Sequence, residues 1–388
     1  MDNLTHSLLG ATLAELALPA GATRAARRTF FFAGVVAANL PDADLVYTRI
    51  TPAPLGALLH HRGHTHTIVG IVALGALMVA VCALPRIRES VGPLRGRLWA
   101  LIAIALASHL VLDSWNSYGV HPFWPLSTRW IYGDAVYILE PWLWLFLGVA
   151  ATLNTVSRPG RGLLGAVLAL LVAAGAWLGV ITMVAVLALA VVALAYAALM
   201  WRAIPRRRAS VALGLALAFV ASLFATREVV RAKVHASPPP GIRGRIVDVV
   251  LSPEAANPLC WSALSIASNE GAGEYVITHA SVTPLGASGC GSAGGRAVHW
   301  EDPLPQSLAR LRALNRDDCW VRAWLQFGRA PEITTATISD YRYGRGARAN
   351  FTMMPLRAAA AAVCPANLTD WRPPRTDLLE SSDPLARR

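Results

Sequence analysis

Long apolar runs, separated by short arginine-bearing breaks, fill the first 226 residues. Runs long enough to cross about 30 Å of hydrocarbon at about 1.5 Å per residue cover residues 67–84, 97–113, 137–156 and 209–226. The apolar stretch 162–201 would make a single helix about 60 Å long, so two spans turning near residues 177–179 are expected. Two shorter runs, 4–20 and 29–40, are marginal spans, since His6, Glu15 and Asn39 need shelter inside a bundle. No helix broken at mid-membrane is evident from the pattern. Beyond residue 226 the period changes. Pro238-Pro239-Pro240 reads as a linker, and alternating segments at 246–251, 261–267, 274–282, 320–327, 333–341 and 350–355 read as strands, with one helix near 305–314. The expected fold is mainly α: a polytopic membrane helix bundle of about six to eight helices over 1–226, then a small extracytoplasmic α+β domain over 227–388.

Composition agrees, with 55% hydrophobic and 15% charged residues and a mean hydropathy of +0.45, too apolar for a soluble protein of 388 residues. The net charge of +12 forms no basic stripe with interleaved aromatics, so nucleic acid is not an expected partner. It instead sets orientation. One set of alternating loops holds Arg24, Arg27, Arg28, Arg86, Arg88, Arg95, Arg97, Arg158, Arg161, Arg202, Arg206, Arg207 and Arg208, and the other only Arg49, Arg62 and Arg129. The richer set belongs in the cytoplasm, which places the segment after the last span outside. Cys260, Cys290, Cys319 and Cys364 all fall in that segment, where two disulfides are expected, with three connectivities open. Residues 8–20 resemble a signal sequence, but Asp2 precedes them and the arginines follow, so they are expected to stay in the mature chain.

Four histidines, His60, His61, His64 and His66, stand within seven residues just before a span. They cannot all be apolar core, because each imidazole needs a polar partner, and a metal site or proton relay follows. His109 and Asp113, at i and i+4, share one helical face, an N/O ligand pair suited to a borderline metal, although a capping pair would look the same. Asp42 and Asp44 follow Pro41, where the second helix must stop, and two carboxylates so close invite a cation between them. His6 adds an imidazole near the end of the first helix. The topology puts these groups at one face, with Trp124, Arg129, Trp130 and Asp134 in a nearby loop and Glu140 opening the next span.

Together, T-H-x-x-x-G (Thr5, His6, Gly10), P-D-x-D (Pro41, Asp42, Asp44), H-R-G-x-T-H-[ST] (His61 to Thr67) and H-x-x-x-D (His109, Asp113) resemble the YdjM-like family. Its members are bacterial inner-membrane proteins described as membrane-bound metal-dependent hydrolases, some regulated by LexA. The resemblance covers about residues 1–150. It implies a metal set of His6, Asp42, Asp44, His61, His66, His109 and Asp113, with Arg62 as an anion clamp. His64 falls at the variable position of its box and is not implied. Glu140-Pro141 stands where Asp-Pro is expected in the family. The ligand order is also similar to part of that in zinc-dependent phospholipases C, a hint toward phosphoesters, though further histidines and a terminal Trp of those enzymes have no counterpart here.

The expected function is a membrane-bound hydrolase in which a divalent metal, zinc foremost and one or two ions in number, activates water against an amphiphilic substrate at the outer face. Arg62 and Asp134 are the expected catalytic residues. The lipid bilayer is the expected partner, with a lipid or an isoprenoid-linked envelope intermediate as substrate. Two alternatives stand beside it: a transporter using the His/Asp cluster as an ion path, and a non-catalytic scaffold stapled by metal. H-E-x-x-H, G-x-S-x-G and P-loop motifs are absent from the sequence.

Overall fold

Helix α1 (Asn3–Ala17) starts where the Asp2 carboxylate accepts from the Thr5 N–H at 2.9 Å. It packs on α2 (Arg24–Asn39) at a glycine crossing. A Cβ added to Gly10 would lie 2.4 Å from the Gly34 carbonyl oxygen, and one on Gly34 would lie 2.5 Å from that of Gly10. Only hydrogen at both positions allows this approach. In this computed structural model the described residues are 1–286, 290, 297–344, 350–356 and 363–380.

Pro41 ends α2, and the chain continues in 3-10 turns, Leu40–Val46. Short α3 (Leu55–His60) leads into α4 (Ile68–Cys82). The segments Leu55–His66 and Ile68–Cys82 are sufficiently apolar to form one span but bend by 66° at Thr67. The bend falls at the start of the expected run 67–84, where the polar stretch His60–His66 separates the apolar turn of α3 from α4. Next come α5 (Pro85–Val91), α6 (Arg95–Asp113), α7 (Pro141–Asn154), α8 (Arg158–Trp177), α9 (Met183–Met200) and α10 (Pro205–Ala236). Among the described residues, five helical stretches are long and apolar enough to cross a membrane, or six if the bent pair is one span. The run 162–201 divides into α8 and α9 as expected. Their large hydrophobics, among them Leu163, Leu170, Val184, Leu187 and Leu194, are exposed, as lipid-facing side chains would be.

The C-terminal part carries an antiparallel sheet, β1 (Arg245–Glu254), β2 (Asn257–Asn269), β3 (Glu274–Val282) and β4 (Val298–Trp300) in spatial order, with β5 (Leu304–Ser307) also paired to β3. Helices α11 (Leu308–Asp317) and α12 (Cys319–Trp324) follow, then a three-stranded sheet of β6 (Pro331–Ile333), β7 (Thr337–Asp340) and β8 (Met354–Pro355), and a last turn of helix, α13 (Thr376–Leu379).

Three expected strands are corrected. Residues 320–327 begin as helix, because the Asp318 carboxylate accepts from the Trp320 and Val321 N–H groups at 2.8 and 3.2 Å and so caps α12. Trp320, Val321 and Trp324 then share a buried face at helical spacing. Residues 333–341 are split by a tight turn in which the Thr334 hydroxyl accepts from the Thr337 N–H at 2.9 Å. Of 350–355, only Met354–Pro355 pairs as strand. The cysteines form two disulfides, Cys260–Cys290 and Cys319–Cys364.

The C-terminal sheet and helices dock on the bundle through shared cores. Leu55, Leu58, Leu59 and Tyr118 pack with Trp324, Phe327 and Trp371, and Leu143, Leu147 and Leu223 pack in one cluster with Trp261 and Val282. Polar ties fix the register of the two parts. The Trp371 indole donates to the Leu59 carbonyl at 2.8 Å, and the Trp130 indole to that of Gln326 at 2.7 Å.

Candidate metal centre

Four short motifs meet where α1, the end of α2, the break before α4 and the end of α6 converge. His109 and Asp113, one turn apart on α6, are both fully buried. The His109 Nδ1 lies 2.6 Å from the Ala38 carbonyl oxygen, in the last turn of α2. That carbonyl is among those a helix end leaves unpaired. An imidazole bonded there through Nδ1–H carries its lone pair on Nε2, turned toward the other groups.

His66 is prepared in the same way. Its Nδ1 is 3.1 Å from Asp44 Oδ2, and its Nε2 is 3.0 Å from His109 Nε2. Around these two nitrogens stand two carboxylates. Asp42 Oδ1 is 3.4 Å from His66 Nε2 and 3.5 Å from His109 Nε2; Asp113 Oδ2 is 3.2 and 3.5 Å from the same atoms. A tetrahedral zinc with ligands at 2.0–2.1 Å has ligand–ligand edges of about 3.3 Å, so five edges of this four-atom group, 3.0–3.5 Å long, fit such an ion. Lone pairs of two imidazoles and two carboxylates do not gather at this distance in a buried place unless positive charge lies between them. The donor set therefore fits a divalent cation.

A second trio, Asp42, Asp44 and His61, also lies within ligand range. His61 Nδ1 is 3.1 Å from Asp44 Oδ1, and its side chain, 24% exposed, forms the open edge of the site. His6 stacks on His109 with ring centroids 3.8 Å apart, and its Nε2 is 3.4 Å from Asp113 Oδ1. It faces Asp113 but stands outside both ligand groups.

Arg62 explains how the histidine box is folded. Its backbone is left-handed, φ +58°, which directs its N–H to Asp44 Oδ2 at 2.9 Å and its side chain inward. The guanidinium Nε lies 3.1 Å from Asp113 Oδ2, Nη1 donates to Asn116 Oδ1 at 3.0 Å, and the group sits over the Tyr118 ring. The Met1 amino group also pairs with Asp113. With neutral imidazoles, three carboxylates face these two cationic groups, and one negative charge remains. A bound divalent ion would offset it.

Asp134, expected with these residues, is engaged elsewhere. Its two oxygens accept from the Arg329 guanidinium at 2.9 and 2.8 Å, across to the C-terminal part. His64 is likewise turned away, lying against Trp124 and Trp371. Sequence reasoning overlooked Asn116, Tyr118 and Asp2. Asn116 and Tyr118 follow H-x-x-x-D within a few residues, a proximity that could have marked them. Asp2 accepts from the Trp144 indole at 3.1 Å and so ties the start of α1, hence His6, to α7, which no local pattern announces. His121, beyond the spans, stacks on Trp371 and meets Trp130 at a tilt, and burial pushes its imidazole pKa down to about 3.

Residues 1–185 match the family of the YdjM inner membrane protein, a region containing every motif of the site. The chain is 26% identical over 148 residues to the uncharacterized protein YfhP of Bacillus subtilis, covering 37% of this chain and 43% of that one. It is 35% identical over 98 residues to the inner membrane protein YbcI of Escherichia coli, covering 25% and 53%. The chain thus spans about half the length of these curated relatives. No solved structure matches. The family match and the apolar helices together support an inner-membrane location.

Proposed function

From a YdjM-type membrane unit over residues 1–185, we propose that this protein is a membrane-bound, metal-dependent hydrolase whose divalent cation is held by Asp42, His66, His109 and Asp113. The supporting observation is the convergence of two carboxylates on two imidazole Nε2 atoms whose Nδ1 atoms are already committed to Ala38 and Asp44. Zinc suits this mixed N/O set best, and Asp42, Asp44 and His61 offer a place for a second ion. Bound there, the cation supplies Lewis-acid polarisation and a water acidic near neutral pH.

The chain's own groups do the rest. Ala38 and Asp44 fix the tautomers of His109 and His66. Arg62 holds the Asp113 carboxylate in place and, being already paired, balances charge in the site rather than closing freely on an anion. His61, at the exposed edge and bonded to Asp44, is the route by which protons exchange with solvent. The arginine distribution supports a placement of this end of the bundle and the C-terminal domain outside the cytoplasm. A site on the helix ends of a bilayer protein suits an amphiphilic phosphoester, a phospholipid or an isoprenoid-linked envelope intermediate.

Metal content of detergent-purified protein is the first test. One or two divalent ions per chain, lost in His109→Ala, are expected, followed by turnover of a lipid phosphoester that Asp113→Asn abolishes. A well-folded sample with no metal above background would overturn the reading. The 66° break beside the site favours a second reading, an ion path. Metal flux into proteoliposomes without hydrolysis would select it.

A further inference from the structure

The C-terminal domain holds a second constellation, remote in sequence from the histidine box. On β2, the Ser262 hydroxyl lies 2.8 Å from His279 Nε2. His279 is on β3, and its Nδ1 lies 2.7 Å from Glu301 Oε1. Glu301 follows β4, and its N–H donates to the His279 carbonyl at 2.9 Å, which fixes the carboxylate beside the ring.

We propose that Ser262, His279 and Glu301 form a serine-nucleophile relay for acyl transfer from carboxylic esters, a second active site distinct from the metal centre. A carboxylate only accepts, so the proton shared with Glu301 sits on His279 Nδ1. His279 Nε2 is then the acceptor and the Ser262 hydroxyl the donor. That polarity is what a general base needs to activate a serine, and it is recognised by geometry rather than by a sequence motif. The absence of G-x-S-x-G therefore does not bear on it.

A chain of this kind also cross-links three strands. Its surroundings carry it further: all three residues line a cavity of about 370 Å³ between the sheet and the Tyr341–Tyr343 turn. Val250, Leu251 and Leu264 give it an apolar wall, and Ser117 and Arg342 a polar end. Ser262 and His279 are half-buried and Glu301 is exposed, so the relay opens to solvent at one side. A cavity of this size admits a compact acyl chain against the apolar wall, with the ester carbonyl at Ser262.

In the reaction, Ser262 Oγ bonds to the ester carbonyl carbon as its proton passes to His279 Nε2. Collapse of the tetrahedral adduct breaks the carbon–alkoxide bond, and the leaving alkoxide takes that proton. Water then attacks the acyl-serine with His279 again as base, which releases the carboxylic acid and restores the hydroxyl.

Full-length protein in detergent, disulfides intact, is treated with a fluorophosphonate probe and the modified peptide is identified by mass spectrometry. Modification of Ser262 is expected, unaffected by a metal chelator, slowed about 100-fold or more in His279→Ala and more mildly in Glu301→Gln. The exposed Glu301→Gln carries the test if His279→Ala does not fold. Hydrolysis of p-nitrophenyl butyrate, lost in Ser262→Ala, is expected alongside. No label on Ser262, label rates equal to wild type in the variants, or labelling without turnover of this ester overturns the proposal. Metal binding is untouched by any of these outcomes.

Discussion

At the residue scale, Arg62 concentrates several demands in one position. A full side chain at φ +58° costs on the order of 1–2 kcal/mol, and four partners offset it: Asp44 on the N–H, and Asp113, Asn116 and Tyr118 around the guanidinium. Gly63 follows, so two adjacent residues turn the chain sharply enough to bring His61 and His66 to opposite sides of Asp44. The proposed ligands and their supports are expected to separate in a titration. Zinc binding measured calorimetrically should vanish in His66→Ala. It should weaken about 10–100-fold in Asp44→Ala, which frees the His66 Nδ1 without removing a member of the four-atom group. Equal losses in the two would place Asp44 among the primary ligands. The residue types of this cluster were legible because His and Asp are scarce in apolar sequence. Asp134 differs for a reason of the same kind: a lone acid near the site reads as a catalytic group until its partner, Arg329, 195 positions away, is known.

Among the elements, the crossing of α1 and α2 sets how far His6 stands from His109. Gly10→Ala or Gly34→Ala would drive a methyl into backbone and force the helices apart, an overpacking worth about 1–3 kcal/mol. Thermal unfolding in detergent should fall for either variant, with reduced metal content, whereas Gly214→Ala, where a Cβ meets nothing within 4 Å, should leave both unchanged. The spans were readable since bilayer thickness dictates run length. The α12 helix was not, since Trp320–Phe327 satisfies a period of two by composition while the deciding feature is one capping carboxylate, Asp318. The bend at Thr67 coincides with the start of the run 67–84, but that the turn of helix before the histidine box belongs to the same apolar pair shows only in the fold.

For the whole molecule, Arg329 is the principal ionic tie between the two parts. It pairs with Asp134 from the bundle side and with Asp248 on β1, while Arg375 also reaches Asp248 at 3.0 Å. Asp134→Ala would leave the buried Arg329 guanidinium with Asp248 as its remaining ionic partner and remove the tie to the bundle, so docking should loosen, read as faster proteolysis near the linker with the metal still bound. Burial pulls the Asp248 carboxyl upward, but Arg329 and Arg375 outweigh it and hold it below the usual carboxylate range. Its folded value being depressed, the stability it adds is complete above the unfolded value of about 3.9 and drains as pH falls through the folded one. An acid unfolding scan should therefore show a loss below about pH 4 that Asp248→Asn flattens.

Helix α10 runs unbroken for 32 residues from Pro205 to Ala236, about 48 Å at 1.5 Å per residue and well beyond a hydrocarbon core of about 30 Å. It works as a drive shaft between the bilayer and the C-terminal domain, with a phase as well as a length. One residue inserted into it would turn everything downstream by about 100° and misalign Arg329 with Asp134; seven would nearly restore the angle but lift the domain by about 10 Å, which separates the same pair by distance instead. Length and phase along this shaft together deliver the C-terminal half to the place where its cores and ionic ties can engage the bundle.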